Sequence, residues 1–372
     1  MKKSHLLTRW LPALIILLVI VRLAMPYAIL RYVNKTLDGI DGFSGHIDDL
    51  DLSLYRGAFL IQGVDIVKTD SEVPTPLFSA DEVDVSILWG ALFRGSLVSE
   101  VYFLNPEINI VDGGDNAEGQ TGEDQSWTEV LESIVPFNIE QLEVANGEVH
   151  FRNFNSEPPV DVYLNELNMT ATNLTNSEDL SSSLVANLEA KALFMADAPV
   201  ELKLKMNPYA KQPLFDLNLK MDELSVIKLD DLIKAYAPFD LEGGRFSLTS
   251  ELAAEDGEIA GYITPALTQA EVFKWREDIK RDDDGLLTVI GESITGLFSA
   301  IFEEGSKDRI ATRVPIEGRI DQPDVGVVTA VIGIIRNAFI ETYESSLEGS
   351  ISLDDVGDDE GEESKESKAL EE

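Results

Sequence analysis

The clearest signal in the chain is a strict alternation. From Val200 to Met206, apolar Val200, Leu202, Leu204 and Met206 take turns with Glu201, Lys203 and Lys205. Phe215–Met221 repeats the pattern, with Phe215, Leu217, Leu219 and Met221 set against Asp216, Asn218 and Lys220. A period of two marks a strand with one apolar and one polar face. Between the two runs, residues 207–214 hold Pro208 and Pro213 and read as a connection. Shorter copies follow the same rule: Leu50-x-Leu52-x-Leu54, Val83-x-Val85-x-Ile87, Val101-x-Phe103, Ile108-x-Ile110, Leu142-x-Val144 and Val149-x-Phe151. Further along come Val160-x-Val162-x-Leu164, Leu184-x-Ala186-x-Leu188, Phe246-x-Leu248 and Ile259-x-Gly261-x-Ile263. About a dozen short strands punctuated by Gly, Asn and Pro predict antiparallel meanders. No repeat of fixed period is visible, which disfavours a propeller.

Helical spacing is rarer and comes late. Ser126-x-x-Glu129 is a capping box that opens a short helix to about Val135. Leu229, Leu232, Ile233 and Tyr236 mark another, closed by Pro238. Two longer helices are expected over Leu286–Glu303 and Asp324–Leu347; in the second, Val328, Ile332, Ile335, Phe339 and Tyr343 keep helical spacing. Residues 112–125 are rich in Gly and acids and read as a flexible insertion, while the acidic tail 354–372 reads as solvated disorder.

The N-terminus carries a different pattern. Lys2, Lys3 and Arg9 precede an apolar run from Leu11 to Leu30 that only Pro12, Arg22 and Pro26 interrupt. Twenty helical residues span roughly 30 Å, one hydrocarbon thickness. Leu11, Leu14, Ile15, Leu18 and Arg22 are the candidate anchor residues. Sliding the span back to begin near Leu6 takes Arg22 toward the far interface, where its head can snorkel. A cleaved signal peptide needs a small-x-small site, and neither Arg22-Leu23-Ala24 nor Pro26-Tyr27-Ala28 supplies a good one. The expectation is an uncleaved single-pass anchor with its N-terminus inside, although Arg31 and Lys35 weaken that charge rule. The bulk of the chain then lies outside the cytoplasm. The segments divide as 1–35 cytoplasmic N-terminus and anchor, 36–111 first β unit, 112–125 insertion, 126–353 main β region and 354–372 tail.

Charge narrows the partners. The 372 residues carry 29 Lys and Arg against 68 Asp and Glu, a formal charge of −39. Such a body repels phosphate backbones, so nucleic acid is not an expected partner. With no Cys and only 3 His, disulfides, thiolate metal sites and cysteine nucleophiles are excluded and imidazole chemistry is poorly supplied. Gly291-Glu292-Ser293-Ile294-Thr295-Gly296 has the outline of a nucleophile elbow, but the serine falls inside an amphipathic helical pattern instead of after a strand. There is no Gly-rich phosphate loop. The acidic groups Asp48, Asp49, Asp51 and Asp282, Asp283, Asp284 lack calcium-loop spacing and read as a solvated strand face and a turn. His46 and His150 stand alone and read as surface or packing residues. No enzyme, cofactor or metal is expected; a hydrolase is the third-ranked reading.

Several blocks, in order, resemble one family. Ser44-Gly45-His46-Ile47-Asp48-Asp49-Leu50-Asp51-Leu52-Ser53-Leu54-Tyr55-Arg56-Gly57-Ala58-Phe59, followed by Ile61-Gln62-Gly63-Val64, is similar to the first unit of AsmA-like envelope proteins, in the Gram-negative branch described as a domain of unknown function. Val83–Ile87 with Leu97-Val98 and Leu104-Asn105-Pro106-Glu107-Ile108 resembles the strand–turn–strand that follows, and Asn146-Gly147-Glu148-Val149-His150-Phe151 resembles a further element. Ile310–Gly318 and Arg336-Asn337-Ala338-Phe339 resemble its C-terminal signature. The resemblance runs from the anchor to about residue 353 and supplies no catalytic residues. It implies a mainly β protein with a few helices: an inner-membrane anchor, then a curved antiparallel sheet with an apolar groove, covered in part by C-terminal helices. It also implies a periplasmic role in envelope and outer-membrane maintenance, with phospholipid and other envelope proteins as partners.

The apolar face of the two alternating strands therefore has two readings. Leu202, Leu204, Phe215, Leu217 and Leu219 line either a lipid groove or a dry core filled by the chain's own helices. The second would make the protein a structural or regulatory scaffold for outer-membrane assembly with no lipid cargo.

Overall fold

Period-two segments condense into a single large sheet. The structure, a computed structural model, describes residues 24–38, 42–53, 56–69, 73–87, 98–112, 138–174, 186–207, 214–236, 239–275, 309–311 and 313–319, with Arg22, Trp89 and Gln212. Among these the chain is mainly β with few helices. The strands are β1 (Phe43–Ser53), β2 (Ala58–Lys68), β3 (Phe78–Ile87), β4 (Val98–Leu104), β5 (Glu107–Val111), β6 (Asn138–Asn153) and β7 (Val160–Thr172). They continue as β8 (Ala186–Phe194), β9 (Ala198–Met206), β10 (Phe215–Ser225), β11 (Phe239–Glu255), β12 (Glu258–Trp275), β13 (Arg309–Ala311) and β14 (Val314–Arg319). All 14 share one sheet, in nearly sequential order from β1 to β12. β4 and β5 form one interrupted line between β3 and β6, and β13 and β14 both pair with β12.

The expected all-antiparallel meander holds everywhere except at one join. β4 and β5 run parallel to β6, because the chain leaves β5 at one end of the sheet and re-enters β6 at the other. Parallel neighbours cannot be joined by a hairpin and require a crossover. Residues 113–137 link the two ends, so all but the first residue of the stretch read as an insertion lies within that connection. Asp112 still belongs to the sheet: its N–H donates to the Arg152 carbonyl at 2.8 Å and the residue is buried.

A crease crosses the first six strand lines. On β1 the buried residues change phase between Ile47 and Leu50, on β2 between Val64 and Ile61, and on β3 between Ala80 and Val83. The pairing stays one to one through each change, since every strand adds its extra residue at the same level. Left-handed backbone marks the line at Gly63 (φ 62°), Asn105 (φ 48°), Asn146 (φ 54°) and Glu166 (φ 52°). An isolated bulge sets two residues against one and disturbs the ladder; along the crease the pairing is irregular on its later strands, between Val144 and Val149 in β6–β7 and between Asn165 and Asn168 in β7–β8. Side chains staple the crease: Asn105 Nδ2 donates to Asp81 Oδ2 at 2.7 Å, and Asn146 Nδ2 to Asn105 Oδ1 at 2.8 Å. The phase change keeps the apolar set on one side of the sheet along its whole height.

Among the described residues, two helices cover parts of that side. α1, over residues 24–37, turns Ile29, Leu30, Val33 and Leu37 onto a core built from β1–β4. Asn34 meets the open edge of β1: its Nδ2 donates to the Ile47 carbonyl at 2.9 Å and its Oδ1 accepts the Ile47 N–H at 2.8 Å. The later apolar residues of the N-terminal run thus belong to the sheet's core. Leu11, Leu14, Ile15 and Leu18 lie outside the described residues, Arg22 is exposed, and no described helix is long and apolar enough to cross a membrane. The helix expected from Leu229, Leu232, Ile233 and Tyr236 forms as a 3-10 turn (Val226–Leu229) running into α2 (Asp230–Tyr236), and it packs over β7–β12. The helices expected at 126–135, 286–303 and 324–347, and the acidic tail, lie outside the described residues.

Candidate functional site

The apolar side of the sheet is organised in rows that cross the strands. One row reads Leu52, Phe59, Val85, Val101, Leu142 and Ala171 from β1 to β7, each paired with the next. It continues through Leu188, Leu204, Leu217, Leu252, Gly261 and Ile316 on β8–β12 and β14. A second row runs beside it, two residues along every strand: Leu50, Ile61, Val83, Phe103, Val144 and Met169, then Ala190, Leu202, Leu219, Ser250, Ile263 and Val314. Ser250 is the one hydroxyl in either row, and it is turned back onto the Tyr262 carbonyl at 3.2 Å. Eleven steps of about 4.8 Å make a stripe of roughly 53 Å.

The five groove candidates take neighbouring places. Leu204 pairs with Leu217, and Leu202 with Leu219. Phe215 stands one step below, opposite Met206, and is buried in a core with Leu252, Ile259 and Ile316. The other four are only half-buried, although large aliphatic side chains on a one-sided sheet are expected to be fully covered. Leu142, Val144, Met169 and Leu188 share that half-exposure. Their alternation was visible in part, but reading each strand alone gave no reason to join them to β9 and β10. Only the register does so. The opposite face of β8–β10 is polar, with Lys191 3.3 Å from Glu201 and Lys220 2.7 Å from Asp222. Farther along that face, Arg56, Asp84, Glu100, Tyr102, Gln141 and Glu143 line an open polar hollow.

A charged cluster lies at the parallel join. His150 is buried, stacked on Tyr163 with ring centroids 5.2 Å apart, and its Nε2 is 3.3 Å from Glu148. Its Nδ1 lies 2.8 Å from Asp161 Oδ1 and 2.9 Å from Arg152 Nη2. One ring nitrogen cannot serve both. A protonated ring donates to Asp161 and leaves the guanidinium as a like-charged neighbour; a neutral ring can accept from Arg152 instead. Burial pulls the His150 pKa down, yet the Asp161 hydrogen bond and charge outweigh it and hold the ring above its ordinary value. Burial pushes Asp161 up, but hydrogen bonds from His150 and Arg152 bring its carboxyl below the usual range. Arg152 also reaches Asn109 on β5. The cluster is a staple between β5, β6 and β7. His150 is thus a packing residue whose hydrogen bonds to Asp161 and Glu148 its isolation in sequence did not disclose.

The remaining candidates are scattered. His46 is exposed, 3.6 Å from Asp48. Asp48 and Asp49 form the crease step on β1, and Asp51 is exposed on the same strand. Asp282, Asp283, Asp284 and Ser293 lie outside the described residues. Among the described residues no group of three or more His, Asp or Glu is placed to hold a metal ion. No protein-family model matches the chain, and no curated protein does.

Proposed function

We propose that the chain is a non-enzymatic, inner-membrane-anchored periplasmic protein of envelope maintenance that binds or passes phospholipid along an apolar β-groove. The observation that carries this reading is the pair of apolar rows, unbroken by charge across twelve strands, whose middle leucines remain half-exposed. A sheet face that is apolar and incompletely covered gains free energy by meeting something apolar, and acyl chains are a suitable partner. The resemblance to AsmA-like proteins supports the same reading and supplies the anchor, the compartment and the partners.

The test is a charge on the face. With Leu204→Glu or Leu217→Glu, a groove accessible to solvent and lipid accommodates the carboxylate; the protein stays folded and copurified phospholipid falls sharply. A dry core would bury the charge unpaired, at a cost of several kcal/mol out of the 5–15 or so that hold a domain together. Loss of soluble protein in both variants would overturn the groove and favour the scaffold without lipid cargo.

A further inference from the structure

The two rows are not equally open along their length. On β3 and β4 they are closed, with Val83, Val85, Val101 and Phe103 all buried in the core under α1. On β11, β12 and β14 they are closed again, with Leu252, Ile263, Val314 and Ile316 buried. Between these blocks lies a partly open trough on the five lines β6–β10, where the large residues of both rows are only half-buried and the small Ala171 and Ala190 are buried. Leu52 and Phe59 at the β1 edge are also half-exposed but are cut off from the trough by the closed strands. Along the strands the trough is bounded as well: Met221 and Leu248 lie against α2 on one margin, and Phe215 and Ala186 are buried on the other.

Its dimensions identify the occupant. Four strand spacings of about 4.8 Å give a length of roughly 19 Å, and two rows separated by two residues lie about 6.6 Å apart. A bilayer's hydrocarbon core of about 30 Å assigns roughly 15 Å to the chains of one leaflet. One chain length fits the trough; two in line do not. Resting on the lipid-binding reading above, we infer that the trough holds one diacyl lipid, its two chains lying side by side across strands β6–β10, and that lipids do not queue along the sheet. The apolar row is about 53 Å long, but its usable part is a single seat.

The experiment uses the full chain, stripped of lipid in detergent and then incubated with vesicles of palmitoyl-oleoyl phosphatidylcholine. A zwitterionic lipid is chosen because a −39 chain repels anionic surfaces. Native mass spectrometry is expected to saturate at one lipid per chain. Leu204→Trp, which fills the trough floor, is expected to lower occupancy at least tenfold with an unchanged melting temperature, and Leu219→Ala serves as the second variant should the tryptophan misfold, retaining one lipid with weaker binding. Two or more lipids per chain, or one lipid whose occupancy ignores both substitutions, would overturn the single seat while leaving lipid binding intact. Folded wild-type protein that takes up no lipid would overturn the lipid-binding reading itself.

Discussion

Removing residues 113–125 should unfold the parallel join, although their composition suggests a dispensable insertion. Asp112 pairs at the far end of β5, and Asn138 opens β6 opposite Val98. Fourteen positions at about 3.3 Å separate those levels, so the connection must return roughly 46 Å. With 113–125 deleted, residues 126–137 supply thirteen steps, and a fully extended chain covers at most about 3.3–3.6 Å per residue, roughly 43–47 Å. Such a link is taut and has no slack to pass over the sheet. Holding twelve residues fully extended costs on the order of 1–2 kcal/mol each in backbone entropy, comparable to or above the stability of a whole domain. The expected outcome is loss of the β4–β6 pairing, read as a fall in melting temperature of more than 10 °C or as loss of soluble protein. A thirteen-residue Gly/Ser replacement of 113–125 should restore it, because length is what the join requires. An unchanged melting temperature in the deletion would refute the crossover argument.

Two further substitutions probe the staples. His150 titrates above its ordinary value in the folded protein, so its contribution is complete below the unfolded pKa near 6.5 and is lost as pH rises through the folded pKa; wild type should lose stability above pH 6.5 in chemical denaturation, His150→Gln should not, and parallel pH profiles would refute the role. Asn34→Ala removes both hydrogen bonds to Ile47 and should cost about 1–3 kcal/mol in the same assay, with Asn34→Asp intermediate because it retains the acceptor; equal stability of all three would show that the β1 edge needs no cover.

Strand character was legible wherever alternation ran unbroken, and β9 and β10 form as antiparallel neighbours with their apolar residues paired. Alternation failed as a guide at the crease. Leu142-x-Val144 and Val149-x-Phe151 read as two strands because their phases differ, yet both belong to β6, with the change absorbed at Asn146 and Gly147. Val101-x-Phe103 and Ile108-x-Ile110 likewise lie on one line, bridged at Asn105 and Pro106. A shift of one residue normally sends a strand's side chains to the other face. Six lines shifting together keep the apolar set inside, and a single strand's sequence holds no sign of that agreement. The parallel join escaped notice for a related reason: periodicity reports faces, and it is silent on direction. The trough is a third case, since how far Leu188 and Met169 are buried depends on tertiary cover, which periodicity does not report.

The placement of charge explains why cover for the trough must come from above the face and not from another sheet edge. Open strand edges are the usual route to unwanted pairing. Both edges here are guarded. β1 presents Asp48, Asp49 and Asp51, and Asn34 occupies the hydrogen-bonding groups of Ile47. At the other side β14 carries Pro315, which has no N–H to offer, and Arg319 paired with Glu258 at 2.6 Å. A second copy adding strand to strand would meet carboxylates at one edge and a proline at the other, against the mutual repulsion of two chains of −39. The half-exposed leucines are guarded by none of these devices. On the lipid-binding reading proposed above, an acyl chain would bring apolar surface without backbone or charge and would leave the edges closed.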